Sequence, residues 1–399
     1  MTTVESNNKI TNESNISNKN NNAATNESQL NKETAMATAN ENSVNKNANS
    51  KSTLESKNAS TNNSAKTEDK SKSQSPPMLT ISTSPHIRDA LNIQSIMFSV
   101  IIAITPAIVM GINQFGINAA INLAVGALAA VLSEYIWQKA MGQKVTISDG
   151  SACLTGLLLA MSMSPLLPAY MVAIGSAIAI IVAKQSMGGL GFNIFNPAHI
   201  GRAALMVSWP IAMTTWTAMP GVDAVTGATP LNVLKMEGYE KVVEMFGSQS
   251  QMYLKMFVGA QNGSIGETSS FLIICGGIYL IWKKIIKWHI PVVMIGTVAV
   301  ITWIFGPNGL FTGDPLFHVL AGGLMLGAFF MATDMVTAPM TVKGQVIFAA
   351  GAGAITALIR LVGGYPEGVC YSILLMNSLT PLIDRGTKPR IFGIGGKNK

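Results

Sequence analysis

The stretch Asp223-Ala224-Val225-Thr226-Gly227-Ala228-Thr229-Pro230-Leu231 holds the side chains best suited to a covalent reaction. Small residues, a Gly and a helix-stopping Pro read as a turn. Such a turn also presents a hydroxyl, Thr229, with little steric cover and a carboxylate, Asp223, six residues upstream. Composition leaves two readings open: an ordinary turn, or a hydroxyl that another enzyme modifies by phosphoester transfer.

A second group of candidates is ionisable. Glu134, Asp334 and Asp384 fall in or at the ends of apolar runs, with Arg202 and Arg360 near other run ends. A charge at the centre of a bilayer costs about 2.5–3.5 kcal/mol on insertion scales, so it faces a cavity or a partner or reaches the interface. For Asp334, Asp384 and Arg360 the competing reading is an interfacial side chain that snorkels. His199 and His318 have no partner pattern and read as core or interface residues. Cys153, Cys275 and Cys370 are far apart and lack CxxC or Cys/His spacing, so neither a zinc site nor an iron–sulfur cluster is expected. Gly188-Gly189-Leu190-Gly191 lacks the surrounding βαβ unit of a dinucleotide loop and reads as a helix break.

These residues need a scaffold, and composition says which. The chain has 399 residues, 48% hydrophobic and only 12% charged, against about 25% charged in soluble domains. The net charge is +7, of which +6 lies outside residues 1–77, dispersed at the ends of apolar runs. That is a topology signal rather than a nucleic-acid surface. Residues 1–77, rich in Asn, Ser, Lys, Thr, Ala and Glu and without an aromatic residue, are expected to be a disordered tail. Residues 78–399 are expected to form a polytopic all-α membrane domain.

A spanning helix needs about 20 apolar residues. Ten spans are predicted near Ser95–Gly111, Ile117–Trp137, Ser151–Ser164, Ala169–Ala183, Ala198–Thr214, Ser269–Trp282, Ile290–Phe305, Leu316–Ala332, Gln345–Leu361 and Val369–Ile383. Several are short or broken by Gly and Pro. With both termini cytoplasmic, the inner loops carry Lys139, Lys144, Lys184, Lys283, Lys284, Lys287 and Lys343, and the C-terminal tail adds Arg385, Lys388 and Arg390. The short outer loops are nearly free of positive charge, which is the positive-inside pattern. The one long outer loop, residues 215–268, carries Thr229. Two sets of five spans are an odd count each, so two repeats would face opposite ways, a plan in which broken helices meet at the midplane.

The motifs resemble one family specifically. Asp223 through Thr229 is similar to the flavinylation motif Asp-x-x-Ser/Thr-Gly-Ala-Thr, and Thr226, Gly227 and Ala228 fall on its fixed positions. The chain resembles the D subunits of Rnf complexes, ion-translocating ferredoxin:NAD oxidoreductases, and more distantly the B subunits of sodium-pumping NADH:quinone oxidoreductases. The likeness runs through Ser84-Pro85-His86-Ile87-Arg88, Asp149-Gly150-Ser151-Ala152-Cys153-Leu154-Thr155-Gly156, Gly188-Gly189-Leu190-Gly191-Phe192-Asn193-Ile194-Phe195-Asn196-Pro197, Phe330-Met331-Ala332-Thr333-Asp334 and Tyr365-Pro366-Glu367-Gly368. The Asn-rich tail lies outside the family pattern.

The resemblance implies FMN esterified to Thr229, a second flavin, riboflavin, in the membrane part, and acidic residues handling Na+ or H+ at Glu134, Asp334 and Asp384. It implies a bacterial cytoplasmic membrane, the A, B, C, E and G subunits of the complex as partners, and a flavin transferase for maturation. NAD and ferredoxin then fall to other subunits, and no nucleic acid is involved. The competing class is a ten-helix secondary transporter, which has no use for a flavin on Thr229.

Overall fold

The computed structural model describes residues 92–216, 228–259, 261–306 and 309–389. The tail expected over 1–77 lies outside the described residues. The described residues are mostly helical, and among them the strands are a two-residue antiparallel pair, β1 (Phe305–Gly306) with β2 (Gly309–Leu310).

All ten predicted spans contain helix. The first half holds α1 (Ile93–Phe115), α2 (Ile117–Ala140), α3 (Ser151–Met161), α4 (Ala169–Ile178) and α5 (Pro197–Ser208). The α4 helix runs on as a π-helical turn, Ala179–Gln185, and α5 is followed by α6 (Pro210–Thr214). The segment between the two halves holds α7 (Pro230–Glu237), α8 (Tyr239–Phe246) and α9 (Gln249–Val258). The second half holds α10 (Ser270–Trp282), α11 (His289–Ile304), α12 (Pro315–Leu320), α13 (Leu324–Leu326) with a π turn at Gly327–Met331, α14 (Val342–Leu361) and α15 (Val369–Gly386). Three helices, α1, α2 and α14, are long and apolar enough to cross a membrane alone. The others are shorter because turns interrupt them. The span expected over Ala198–Thr214 breaks at Trp209, where Pro210 removes a donor, and the one over Leu316–Ala332 breaks at Ala321-Gly322-Gly323.

Packing repeats between the halves. Helix α2 packs on α4 and α4 on α5; correspondingly α11 packs on α14 and α14 on α15. The halves meet through corresponding members, α1 on α10 and α5 on α15. Self-paired elements of this kind are what two five-helix repeats about one axis require.

Small residues allow the close approach, as expected where lipid supplies no hydrophobic drive between helices. A Cβ on Gly201 of α5 would lie 2.6 Å from the Gly175 carbonyl of α4, and one on Gly353 of α14 would lie 2.7 Å from the Met294 carbonyl of α11. At the α2–α3 crossing, a Cβ on Gly156 would run into the backbone of Gly126. Gly156→Val should therefore destabilise the detergent-purified protein by about 1–3 kcal/mol or more. Gly296→Ala, which meets nothing within 4 Å, should leave the unfolding curve unchanged. Equal curves for the two variants would refute the close-packing role of Gly156.

A smaller apolar core, Leu231, Val233, Val242, Phe246, Met252 and Met256 with Phe317, Leu320 and Ala321 of the α12 region, seats α7–α9 on the second half. Asp314 fixes the seat. Its Oδ1 caps α12 by accepting from Phe317 N at 3.0 Å, and its Oδ2 accepts from the Tyr239 and Tyr253 hydroxyls, each at 2.6 Å. Burial and this carboxylate push both phenols above their usual range, so they stay protonated as donors.

Candidate functional site

Thr229 is the N-cap of α7. Its Oγ1 accepts from Asn232 N at 3.2 Å, Pro230 occupies the first helical position, and the residue is 3% exposed. The expectation of an uncovered hydroxyl is therefore corrected. The turn's chemistry is intact, but the hydroxyl serves as a cap and faces inward because α7 is pinned from below. Lys235 donates to the carbonyls of Gly363 and Tyr365, the latter at 3.0 Å. Ala228 packs half-buried against the outer core. Asp223, Thr226 and Gly227 lie outside the described residues.

Thr229 borders a cavity of about 720 Å³, mouth included, with Ser162, His199, Arg202, Ser264 and Glu367 in its wall. The charges there are neighbours in space only. Arg202 of α5 pairs with Glu367 at 2.5 Å across 165 residues of chain. Arg360 of α14 donates to the carbonyls of His318 and Ala321, the latter at 3.0 Å. Among the described residues, both ring nitrogens of His199, Ser264 Oγ and Glu367 Oε1 in this wall are buried with no hydrogen-bond partner, and Glu267 Oε1, next to Gly323 of the wall, has none either. Buried polar atoms in native proteins are nearly always satisfied, so this cavity suits a polar occupant. Arg360 does not snorkel: it is buried, because two carbonyls freed at the α12–α13 break accept from it.

Glu134 sits in a second cluster. Its Oε1 accepts from Lys184 Nζ at 2.8 Å, Gln185 Nε2 at 2.6 Å and Gln138 Nε2 at 3.4 Å. Its Oε2 is buried and unpartnered among the described residues. Lys184, assigned from sequence to a cytoplasmic loop, is instead 1% exposed inside the π turn of α4. The extra residue of a π turn re-aims the side chains after it, and such turns recur at functional sites. Lys184 also donates to Ser151 Oγ at 2.6 Å, which in turn donates to Asp149 Oδ1 at 2.7 Å.

The three acidic candidates are not brought together. Asp334 lies in the turn after the π segment, accepting from Thr337 Oγ1 at 3.2 Å and Val336 N at 3.4 Å. It borders a cavity of about 840 Å³, mouth included, between the halves, with Lys184, Ser151, Asn193, Asn196 and Thr333. Asp384 is half-buried and accepts from Met340 N at 3.1 Å, tying the loop before α14 to α15. Residues that sequence reasoning passed over are Lys184, Gln138, Gln185, Glu267 and Glu367. The available signal was a base and an acid, Lys184 and Glu134, each in an apolar run. Such charges in a membrane pair with each other.

The cavities can be tested against flavin chemistry. A helix N-terminus offers backbone N–H groups and a positive dipole end to a phosphate, and Thr229 stands at one. The cavity between the halves has apolar walls from Met97, Val100, Leu280, Phe329 and Phe330 and an unpartnered amide oxygen on Asn193. An apolar slot with a few polar groups suits a flat heteroaromatic ring.

The sequence pattern of the NQR2, RnfD, RnfE family matches residues 80–393. The D subunit of a proton-translocating ferredoxin:NAD(+) oxidoreductase complex from Clostridium ljungdahlii is 64% identical over 319 residues, 79% of this chain and 96% of that protein. The D subunit of an Na(+)-translocating ferredoxin:NAD(+) oxidoreductase complex from Acetobacterium woodii is 45% identical over 320 residues, with the same shares covered. The D subunit of an ion-translocating oxidoreductase complex from Klebsiella pneumoniae is 37% identical over 350 residues, 78% of this chain and 98% of that protein.

Proposed function

The chain belongs to the NQR2, RnfD, RnfE family, and we propose that it is the flavin-carrying D subunit of an Rnf-type complex. It is an all-α membrane protein and one component of a redox-driven ion translocase, not catalytic alone. In this reading Thr229 holds FMN through a phosphoester bond, a flavin transferase installs it, and ferredoxin and NAD react on other components among A, B, C, E and G. Riboflavin occupies the cavity between the halves. Flavins supply one- and two-electron transfer; the protein supplies position, electrostatics and exclusion of water.

Thr229 carries the reading. It ends the flavinylation motif and caps a helix whose first turn favours phosphate. Its cavity brings the guanidinium of Arg202 and the rings of His199 and Trp216 beside it. Arg202 is held by Glu367, and Lys235 ties α7 to the carbonyls of Gly363 and Tyr365. The test is direct: express the chain with a flavin transferase, denature it, and look for fluorescence that migrates with the polypeptide. A dark chain, with transferase activity verified on another substrate, would overturn the assignment of covalent flavin to this subunit.

Orientation in the bacterial cytoplasmic membrane follows from the Lys/Arg asymmetry. With the native cysteines replaced, Ser250→Cys in α9 should react with an impermeant thiol reagent from outside, and Gly386→Cys should not. Both positions are exposed. Labelling of Gly386→Cys alone in intact cells overturns this topology.

A further inference from the structure

Lys184 and Glu134 lie between two different spaces. On one side is an open polar vestibule of about 1220 Å³, bordered by Gln138, Thr146, Asp149, Gln185 and Gly189. On the other is the apolar cavity between the halves, with Lys184 and Ser151 in its wall. Gln138 and Gln185, which hold Glu134 Oε1, are themselves walls of the vestibule. The order in space is therefore vestibule, glutamine pair, Glu134, Lys184, cavity.

The ion pair is lopsided. Three donors crowd Glu134 Oε1 while Oε2 has none among the described residues. A carboxylate held for stability alone would have both oxygens satisfied, since an unpaired buried charge is expensive. Lys184 is also the kind of cation that can move: a compact ammonium on a flexible four-carbon stem, with three rotatable donors. The corresponding cation of the second half behaves differently. Arg360, near the end of α14, donates to two neutral backbone carbonyls at the α12–α13 break. Arg360 is a staple across a broken helix. Lys184 holds a carboxylate and faces a cavity.

We propose that Lys184 is a movable countercharge, shared between Glu134 and the ring occupying the cavity, which exchanges one electron in the cavity for one cation at Glu134. The proposal rests on the reading that riboflavin binds there. When one electron from a neighbouring redox group of the complex arrives, the cavity gains one negative charge. Lys184 Nζ then shifts its donated hydrogen bond from Glu134 Oε1 to the ring's polar edge. Glu134, left without its ammonium, takes up one Na+ or H+ from the vestibule between Gln138 and Gln185. When the electron leaves, Lys184 returns to Glu134 and displaces the cation. Charge balances at each stage, one electron against one cation.

Equilibrium binding of riboflavin to the full chain in detergent, in its oxidised form and in the dithionite-reduced form, whose two electrons and one proton leave the same single negative charge, tests this without turnover. Lys184→Met should weaken reduced-form affinity about tenfold or more beyond any loss in oxidised-form affinity, since charge-assisted hydrogen bonds are the strong ones. Lys184→Arg should restore most of the reduced-form affinity. In the unmodified chain, reduced-form affinity should rise with Na+ or with falling pH more steeply than in Glu134→Gln, which cannot take up the cation. Equal weakening of both forms in Lys184→Met makes Lys184 a wall residue and overturns the proposal while the riboflavin reading stands. A Glu134→Gln chain with the unmodified chain's full cation dependence overturns it too, and needs no Lys184 variant to fold. Absence of riboflavin binding by the unmodified chain in either form removes the riboflavin reading and this proposal together.

Discussion

Thr229→Val should abolish covalent flavin on this chain altogether, an all-or-none effect on fluorescence after denaturation. Valine keeps the branched shape and removes the oxygen that would form the ester. It also removes the α7 cap, which costs about 0.5–2 kcal/mol, so a second substitution must separate cap from ester. Thr229→Asn supplies a cap acceptor without the hydroxyl. It should fold with the outer helices seated on α12 and remain dark. Thr229→Ser keeps both functions and should retain at least part of the flavin. Burial adds a further expectation. The hydroxyl is 3% exposed and occupied by Asn232 N, so a transferase reaches it only when α7 lifts from the Gly363 and Tyr365 carbonyls that anchor Lys235. Lys235→Met should therefore speed flavin transfer to chain already folded in detergent. Full fluorescence in Thr229→Asn would move the ester to another residue.

The ten helical regions were legible because each is an apolar run closed by Gly, Pro or charge, and composition alone sets that pattern. The break at Gly188-Gly189-Leu190-Gly191 was legible, whereas those at Pro210 and Gly322-Gly323 fall inside runs whose apolar composition reads as continuous. The type and spacing of Thr229 were legible too. Its burial was not, because it depends on how α7 seats against residues far away in the chain: the Gly363 and Tyr365 carbonyls that hold Lys235, and Phe317, Leu320 and Ala321 packed with Leu231 and Val233. Lys184 shows the same limit in electrostatics. Counting positive charges toward one side assumes that each lysine reaches water. Lys184 reaches Glu134 instead, 50 residues upstream, through a π turn that no local signal announces. Glu367 was visible only as part of a motif, and its partner Arg202 lies 165 residues away.

That pair supplies the largest expected effect on stability. Arg202 and Glu367 have side chains only 9% and 14% exposed. Removing one member of a buried ion pair leaves an uncompensated charge, which typically costs about 3–5 kcal/mol, while replacing both with apolar groups of similar volume is often neutral. Arg202→Met strands Glu367 beside the unpartnered Glu267 Oε1; Glu367→Met strands the guanidinium. Both single variants should unfold at clearly lower denaturant, and Arg202→Met/Glu367→Met should recover most of the loss, giving a coupling energy of several kcal/mol in the cycle. Additive losses would show that the two side chains act independently. Recovery in the double variant has a consequence for function. A pair that apolar residues can replace is not required for folding, which leaves its charge available to the cavity that Arg202, Glu367 and Thr229 share. On the proposed reading that Thr229 carries FMN, the stable double variant should then show slower electron transfer at that flavin. A native rate in that variant would leave the pair without a role beyond packing.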